Sequence, residues 1–286
     1  MSTGPSGLHT VAAALRTARG HGVDRLDAQA LLSAVLRQPR AWLLAHDEAA
    51  LDGEAQTRLQ ALLERRAQGE PLAYLLGEKE FFGLPLAVTP DVLVPRPDTE
   101  TLVEWALELL PANGRARVAD LGTGSGAIAL ALARHRPLAR ITAVDASAPA
   151  LAVARGNGER LGLAVEWLES DWFEALAERR FELIVGNPPY VAEGDVHLKA
   201  LRHEPPQALT AGADGLAAIR RIVAEAPARL TAGGWLLLEH GFEQAEGVAG
   251  LLAKAGLQEI ATRRDLGGRQ RCTGGRVQSG QLSCPR

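Results

Sequence analysis

The chain has 286 residues, enough for one large domain or two ordinary ones with a sizeable core. Aromatic content is only 4%, so that core must come mainly from Ala, Leu and Val. A net charge of −3 counts against a general nucleic-acid binder, which usually carries a basic balance or stripe.

Residues 8–76 read as helical. Apolar residues recur at three- and four-residue spacing, as at Leu26, Ala30, Val35 and Leu36 and at Leu59, Leu62 and Leu63. Breaks fall at Gly20-His21-Gly22, Gln38-Pro39 and Gly69-Glu70-Pro71. Four or five short helices in a small bundle are expected. Residues 77–97 change character, with Phe81, Phe82, Leu84, Leu86, Val88, Val92 and Val94 set among Gly83, Pro85, Pro90 and Pro95. Short apolar runs between turn residues predict a β-hairpin or extended linker.

From residue 98 strands and helices alternate. A helix is predicted over Thr99 to Leu110, with Asp98 as its N-cap. Strands follow at Arg117–Leu121, Arg140–Asp145, Val165–Leu168, Phe181–Gly186 and Trp235–Glu239. Helices are predicted at Ala127–Arg136, Pro149–Leu161 and Gly215–Leu230. This alternation predicts an α/β domain, a parallel sheet with helices on both faces.

Cys272 and Cys284 show no metal-ligand spacing, so no metal site and no disulfide framework is expected. Two reduced thiols in a cytoplasmic protein are the simplest reading. There is no basic region followed by an apolar stretch at the start, and no apolar run of about 18 residues. Neither a signal peptide nor a membrane span is therefore expected.

Asp120-Leu121-Gly122-Thr123-Gly124-Ser125-Gly126 follows the strand at 117–121 and opens a helix. Glycines let the backbone turn tightly and approach a ligand, and the helix N-terminus offers free N–H groups. In a doubly wound sheet this turn binds nucleotide-like ligands. Gly122, Gly124 and Ala127 also fit a loose dinucleotide fingerprint, so a dinucleotide competes with S-adenosylmethionine. Asp120 favours the latter: a carboxylate suits a cationic sulfonium better than a pyrophosphate. Asp145 ends the next strand, where a carboxylate can accept two hydrogen bonds from a ribose diol or cap the following helix through the Ser147 turn.

Asn187-Pro188-Pro189-Tyr190 follows the strand at 181–186. Two prolines stop the strand and stiffen the loop at the sheet edge where ligands bind. An amide nitrogen is a poor nucleophile because its lone pair is delocalised. The Asn187 side-chain oxygen and the Pro188 carbonyl can accept its two hydrogens and aim it at a methyl group, with Tyr190 packed on the flat amide. Transfer is then a matter of positioning. The competing reading is a strand-ending turn with a buried Asn.

Together, Asp120–Gly126 and Asn187–Tyr190 resemble the class I methyltransferases that carry an Asn-Pro-Pro-Tyr motif. More narrowly, the chain resembles the PrmC/HemK family of protein-(glutamine-N5) methyltransferases. The likeness extends to Glu80-Phe81-Phe82-Gly83-Leu84, Val94-Pro95-Arg96-Pro97-Asp98-Thr99-Glu100, Ser170-Asp171-Trp172 and Leu237-Leu238-Glu239-His240-Gly241.

The resemblance implies a Rossmann-like, mostly parallel seven-stranded sheet behind a small N-terminal helical bundle. It implies S-adenosyl-L-methionine held by Gly122, Thr123, Gly124, Ser125, Gly126, Asp145, Trp172 and Asn187. It implies a substrate glutamine, in the Gly-Gly-Gln motif of class-1 peptide-chain release factors, held by Asn187, Pro188, Pro189 and Tyr190. Of these, Asn187, Pro188 and Tyr190 carry the transfer. Residues 1–76 become a substrate-docking domain, 77–97 the hairpin and linker, 98–276 the cofactor domain and 277–286 a loose tail. Arg263–Arg269 matches the family's sixth strand and turn, and Arg271–Arg276 its seventh strand.

The expected partner is a release factor, with no stable nucleic-acid binding, no membrane, and a monomeric state. Three other classes compete. An adenine-N6 methyltransferase acting on DNA or RNA would need a basic recognition region. An NAD-dependent oxidoreductase would need an acid/base group and a nicotinamide half-site. A non-enzymatic sensor would show no turnover. Asp171 is weighed between the adenine amino group and a turn cap, Trp172 between adenine contact and core packing, and His240 is read as structural.

Overall fold

The structure, a computed structural model, describes residues 8–278. Two compact units divide between Glu78 and Lys79.

The first unit is helical: α1 (Val11–Gly20), α2 (Arg25–Leu36), α3 (Arg40–Ala45), α4 (Gly53–Ala67) and α5 (Leu72–Leu76). Side chains at three helix starts accept from orphan N–H groups: Thr10 from Ala13, Asp24 from Leu26 and Asp52 from Ala55. The helical spacing buries Leu31, Leu32, Leu59 and Leu63 in one core with Leu8, Val11 and Leu43. Each fully buried leucine contributes about 1.5–3 kcal/mol. Leu26, part of the apolar pattern, instead lies 56% exposed on the first turn of α2. Arg66 of α4 pairs with Asp27 of α2 at 2.7 Å.

The second unit opens on a hairpin, β1 (Glu78–Phe81) and β2 (Leu84–Ala87). Its two-residue turn, Phe82 and Gly83, has φ values of 50° and 77°. Two positive φ angles match the right-handed twist of paired strands.

Helix α6 (Glu100–Leu109) starts after a 3₁₀ turn at Pro97–Thr99. Asp98 is not its N-cap. The turn carries the carboxylate away from the helix, and it pairs with Arg271 at 2.9 Å.

The rest runs β3 (Arg117–Leu121), α7 (Ala127–His135), β4 (Arg140–Asp145), α8 (Ala148–Leu161), β5 (Glu166–Glu169), β6 (Phe181–Gly186), α9 (Ala217–Arg229), β7 (Leu230–Glu239), α10 (Ala245–Lys254), β8 (Gln258–Arg264) and β9 (Gln270–Arg276). The sheet has seven strands in the order β5-β4-β3-β6-β7-β9-β8. The first five are parallel, and β9 runs antiparallel between β7 and β8. The α/β sheet expected from the alternation is present.

Side chains alternate between the two faces, as strand geometry requires. Val118, Leu183, Val185 and Leu237 pack with α6 and α7, while Ala119, Ile184, Leu236 and Leu238 pack with α9 and α10. The chain leaves β3 toward β4 on one side and continues from β6 on the other. The crevice at that reversal, at the strands' C-terminal ends, is where such sheets bind ligands.

Three elements differ from expectation. Strand β7 begins at Leu230 rather than Trp235: Gly233 takes φ 75° and the register with β6 shifts between Phe181 and Leu183, so the strand continues through Gly233 and Gly234. Helix α10 was not expected. Strand β8 begins at Gln258, upstream of Arg263–Arg269, which supplies its end and the turn. Cys272, a weak strand former, sits fully buried in β9 opposite Glu239, so burial outweighs propensity there. The loose-tail reading of 277–286 falls mostly outside the described residues. Val277 is described, and it exchanges backbone hydrogen bonds with Gly233 and Gly234.

Among the described residues no helix is long and apolar enough to cross a membrane.

Candidate active site

A cavity of about 410 Å³ opens at the reversal of strand order. The glycine loop forms its floor. Gly122, Gly124 and Gly126 have φ values of 70°, 55° and 84°, a conformation that costs little only for glycine. A Cβ on Gly124 would meet no atom within 4 Å, so the space beside the loop is open. A Cβ on Gly126 would press on Trp167 at 3.0 Å and Leu130 at 3.1 Å. Gly126 thus seats α7 against the sheet, while Gly122, Thr123, Gly124 and Ser125 line the cavity.

Asp120 lies beneath the loop, outside the cavity wall. It is fully buried, and its Oδ2 accepts from the Thr123 hydroxyl at 2.6 Å and from Ala129 N–H at 3.2 Å. Oδ1 has no partner among the described residues. Burial pushes its carboxyl up to about 7. Asp120 therefore braces the turn rather than facing a ligand.

Asp145 does line the cavity. Its Oδ2 accepts from Gly124 N–H at 2.8 Å and its Oδ1 from Ser147 N–H at 2.9 Å. The turn contacts and the ribose reading are compatible, since a carboxylate has about four acceptor sites and the turn does not take them all. Burial raises its pKa.

Trp172 forms a wall, its ring 3.4 Å from where a Gly122 Cβ would stand. Its backbone has φ 52°, a strained value for so large a residue. The Ser170 hydroxyl holds that turn, donating to Trp172 O at 3.1 Å and accepting from Ala175 N–H at 2.9 Å. Asp171 reaches the wall too, but its carboxylate pairs with Arg221 at 2.8 Å.

Asn187 and Pro189 line the same cavity, whereas Pro188, which is buried, and Tyr190 are not among its lining residues. Asn187 Nδ2 donates to Thr99 Oγ1 at 3.2 Å. Tyr190 donates its hydroxyl to Glu239 Oε1 at 3.2 Å, and burial raises the phenol's pKa. His240 is buried and structural, with Nε2 2.7 Å from Thr273 Oγ1. Burial lowers its pKa.

Several wall residues were not picked out as site residues in the sequence: Phe81, Val92, Leu93, Thr99 and Gln207 among them. Arg96 ion-pairs with the buried Glu204, which also accepts from Val94 N–H at 3.0 Å. That pair fastens the segment between β6 and α9 over the run from Val94. Asn157 of α8, fully buried, bridges the hairpin and the glycine loop: its Oδ1 accepts from Ala87 N–H at 2.7 Å, and its Nδ2 donates to Ala87 O at 3.0 Å and Ser125 O at 2.9 Å. The Val94–Glu100 motif carried a signal for Arg96 and Thr99. Glu204, Gln207 and Asn157 carried none.

The Methyltransferase small domain family matches residues 99–244, and the PrmC N-terminal domain family matches residues 8–77. A release factor glutamine methyltransferase of Bordetella pertussis is 53% identical over 257 residues, covering 89% of this chain and 95% of the relative. One from Coxiella burnetii is 51% identical over 248 residues, covering 86% and 90%. Among solved structures, a Thermus thermophilus 16S rRNA methyltransferase in complex with AdoMet and guanosine is 25% identical with a TM-score of 0.52, covering 70% of this chain and 50% of that one.

Proposed function

The chain belongs to the release factor glutamine methyltransferase family, and on that premise we propose that it methylates the side-chain nitrogen of the glutamine in the Gly-Gly-Gln motif of class-1 release factors. The observation that carries this reading is that the glycine loop, Asp145 and Asn187 share one cavity. The residues fit S-adenosyl-L-methionine. The open glycine loop admits a ligand close to its backbone, Asp145 keeps acceptor capacity for a ribose diol, and Trp172 offers a flat face to an adenine. When bound, that cofactor supplies an electrophilic methyl group on a sulfonium.

The protein's own part is positioning. Asn187 Oδ1 and the Pro188 carbonyl accept the two hydrogens of the substrate amide and turn its nitrogen toward the methyl group. These acceptors also favour the positive charge that develops on nitrogen. Tyr190, not itself a lining residue, orients the loop through Glu239. Residues 1–76 are the substrate-docking domain in this reading, supported by the family match over 8–77.

The test is methyl transfer from labelled S-adenosylmethionine to three acceptors: a purified release factor, the same factor with its Gly-Gly-Gln glutamine changed to alanine, and nucleic acid. Label on the first alone is expected. Label on nucleic acid instead would keep the cofactor chemistry and overturn the glutamine assignment in favour of adenine-N6 methylation.

A further inference from the structure

We propose that Gln244, just ahead of α10, is a positioning residue that fixes the far end of the Asn187–Tyr190 loop and so sets where the Asn187 amide stands. The inference rests on the reading of that loop as the holder of the substrate amide.

The loop is anchored at its start, because Asn187 follows directly on β6. Pro188 and Pro189 then lock two φ angles in succession. A stiff segment held at one end still swings as a unit about that end. The direction of Asn187 therefore depends on what holds the other end, at Tyr190 and Val191.

The peptide group between Tyr190 and Val191 is pinned from both sides. Its N–H donates to Leu209 O at 2.9 Å, and its carbonyl accepts from Gln244 Nε2 at 3.0 Å. The same NH₂ group donates to Asp214 O at 3.2 Å, and Gln244 Oε1 accepts from Gly241 N–H at 2.9 Å. One side chain thus joins the loop after β6, the turn before α9 and the turn after β7. The Tyr190 ring is held separately, through its hydroxyl on Glu239, so Gln244 governs the backbone of that residue.

The two ends of a glutamine amide look alike, but the partners here are backbone groups of fixed sense. The carbonyls of Tyr190 and Asp214 can only accept, and the Gly241 N–H can only donate. A single orientation of the amide satisfies all of them.

Glycines make room for this clasp. Gly215 takes φ 71°, and a Cβ there would stand 2.2 Å from Tyr190 O and 2.8 Å from Gln244 Nε2. A Cβ on Gly241 would meet Gln244 Oε1 at 3.0 Å. The chain therefore carries no side chain at either place where the amide closes on the backbone. Gln244 is not among the residues lining the cavity, so it acts through the loop.

The experiment compares the wild type with Gln244→Glu and Gln244→Met, reading kcat, KM for the release factor, cofactor affinity and the urea midpoint. Gln244→Glu keeps the side-chain length and the acceptor for Gly241, but an ionised carboxylate has no proton for Tyr190 O. Gln244→Met keeps the length and loses every hydrogen bond. Both should lose roughly 10- to 100-fold in kcat, the cost of misplacing a reacting group, while KM and cofactor affinity stay near wild type. The urea midpoint should fall further in Gln244→Met than in Gln244→Glu, because only the former gives up Gly241.

Wild-type kcat in Gln244→Glu would overturn the proposal, since the role would then lie at Gly241 and the start of α10. A cofactor affinity that falls as far as kcat in Gln244→Glu would overturn it too, because the cavity as a whole would have been disturbed. Should Gln244→Met fail to fold, Gln244→Glu decides alone. If the wild type labels an acceptor other than the glutamine, the proposed function fails, and the same comparison on that acceptor still decides whether Gln244 positions the loop.

Discussion

Gly124 and Asp145 are joined by a hydrogen bond from the glycine N–H to Asp145 Oδ2 at 2.8 Å. The loop thus fixes the carboxylate that the proposed reading sets against a ribose, and neither is free to move alone. Asp145→Ala should weaken cofactor binding first, by roughly 10- to 100-fold for the loss of charged hydrogen bonds. Calorimetric titration with S-adenosylmethionine would read this. An unchanged Kd would remove Asp145 from the cofactor site.

Asn187→Ala should behave in the opposite way. The target amide loses its acceptor and the Thr99 hydroxyl its Nδ2 partner, so kcat should drop on the order of 100- to 1,000-fold, further than cofactor affinity. Single-turnover transfer to a release factor separates the two effects. Equal losses in affinity and rate would count against the assigned role.

Asp120 predicts an unusual dependence of stability on pH. Its folded pKa, about 7, lies above its ordinary value of 3.8. The folded state therefore holds a proton that the unfolded state has released between those values. Its contribution is fully present below about 4 and lost as pH rises to about 7. Asp120→Asn cannot ionise, so its stability relative to wild type should rise across that window, by up to ~1.4 kcal/mol per pH unit, and level off above it. Urea unfolding of both proteins at several pH values checks this, and a constant difference would contradict it.

Asn157→Ala should destabilise the second unit by about 2–4 kcal/mol. It leaves Ala87 N–H, Ala87 O and Ser125 O without their buried partner. Because Ser125 lines the cavity, cofactor affinity should fall as well. Denaturant midpoints together with cofactor titration test both parts. Loss of stability with full affinity would show that the hairpin, not the glycine loop, depends on Asn157.

Strand β6 and its motif stand at 181–190 as expected, because an apolar run ended by two prolines has few other conformations. The glycine loop was legible because φ values of 70°, 55° and 84° suit glycine alone. Errors arose where tertiary contacts outweighed a local preference. Asp98 looked like a helix cap, but Arg271, remote in sequence, claims it. Asp120 was expected beside the ligand, and the tight turn buries it under Thr123 instead.

By itself the sequence determined the alternation of strands and helices as far as β7, the glycine turn after β3, and the rigid loop that bears Asn187. These depend on neighbours a few residues away: periodicity, glycine conformation and proline geometry. Only the tertiary structure decided that Thr99 touches Asn187 across 88 residues, that Asn157 reaches Ala87 across 70, and that Glu204 reaches Val94 across 110. Such pairings are set by the sheet order and by how each helix docks on it. A buried polar side chain takes whichever partner the packing brings, and no local pattern records which one that will be.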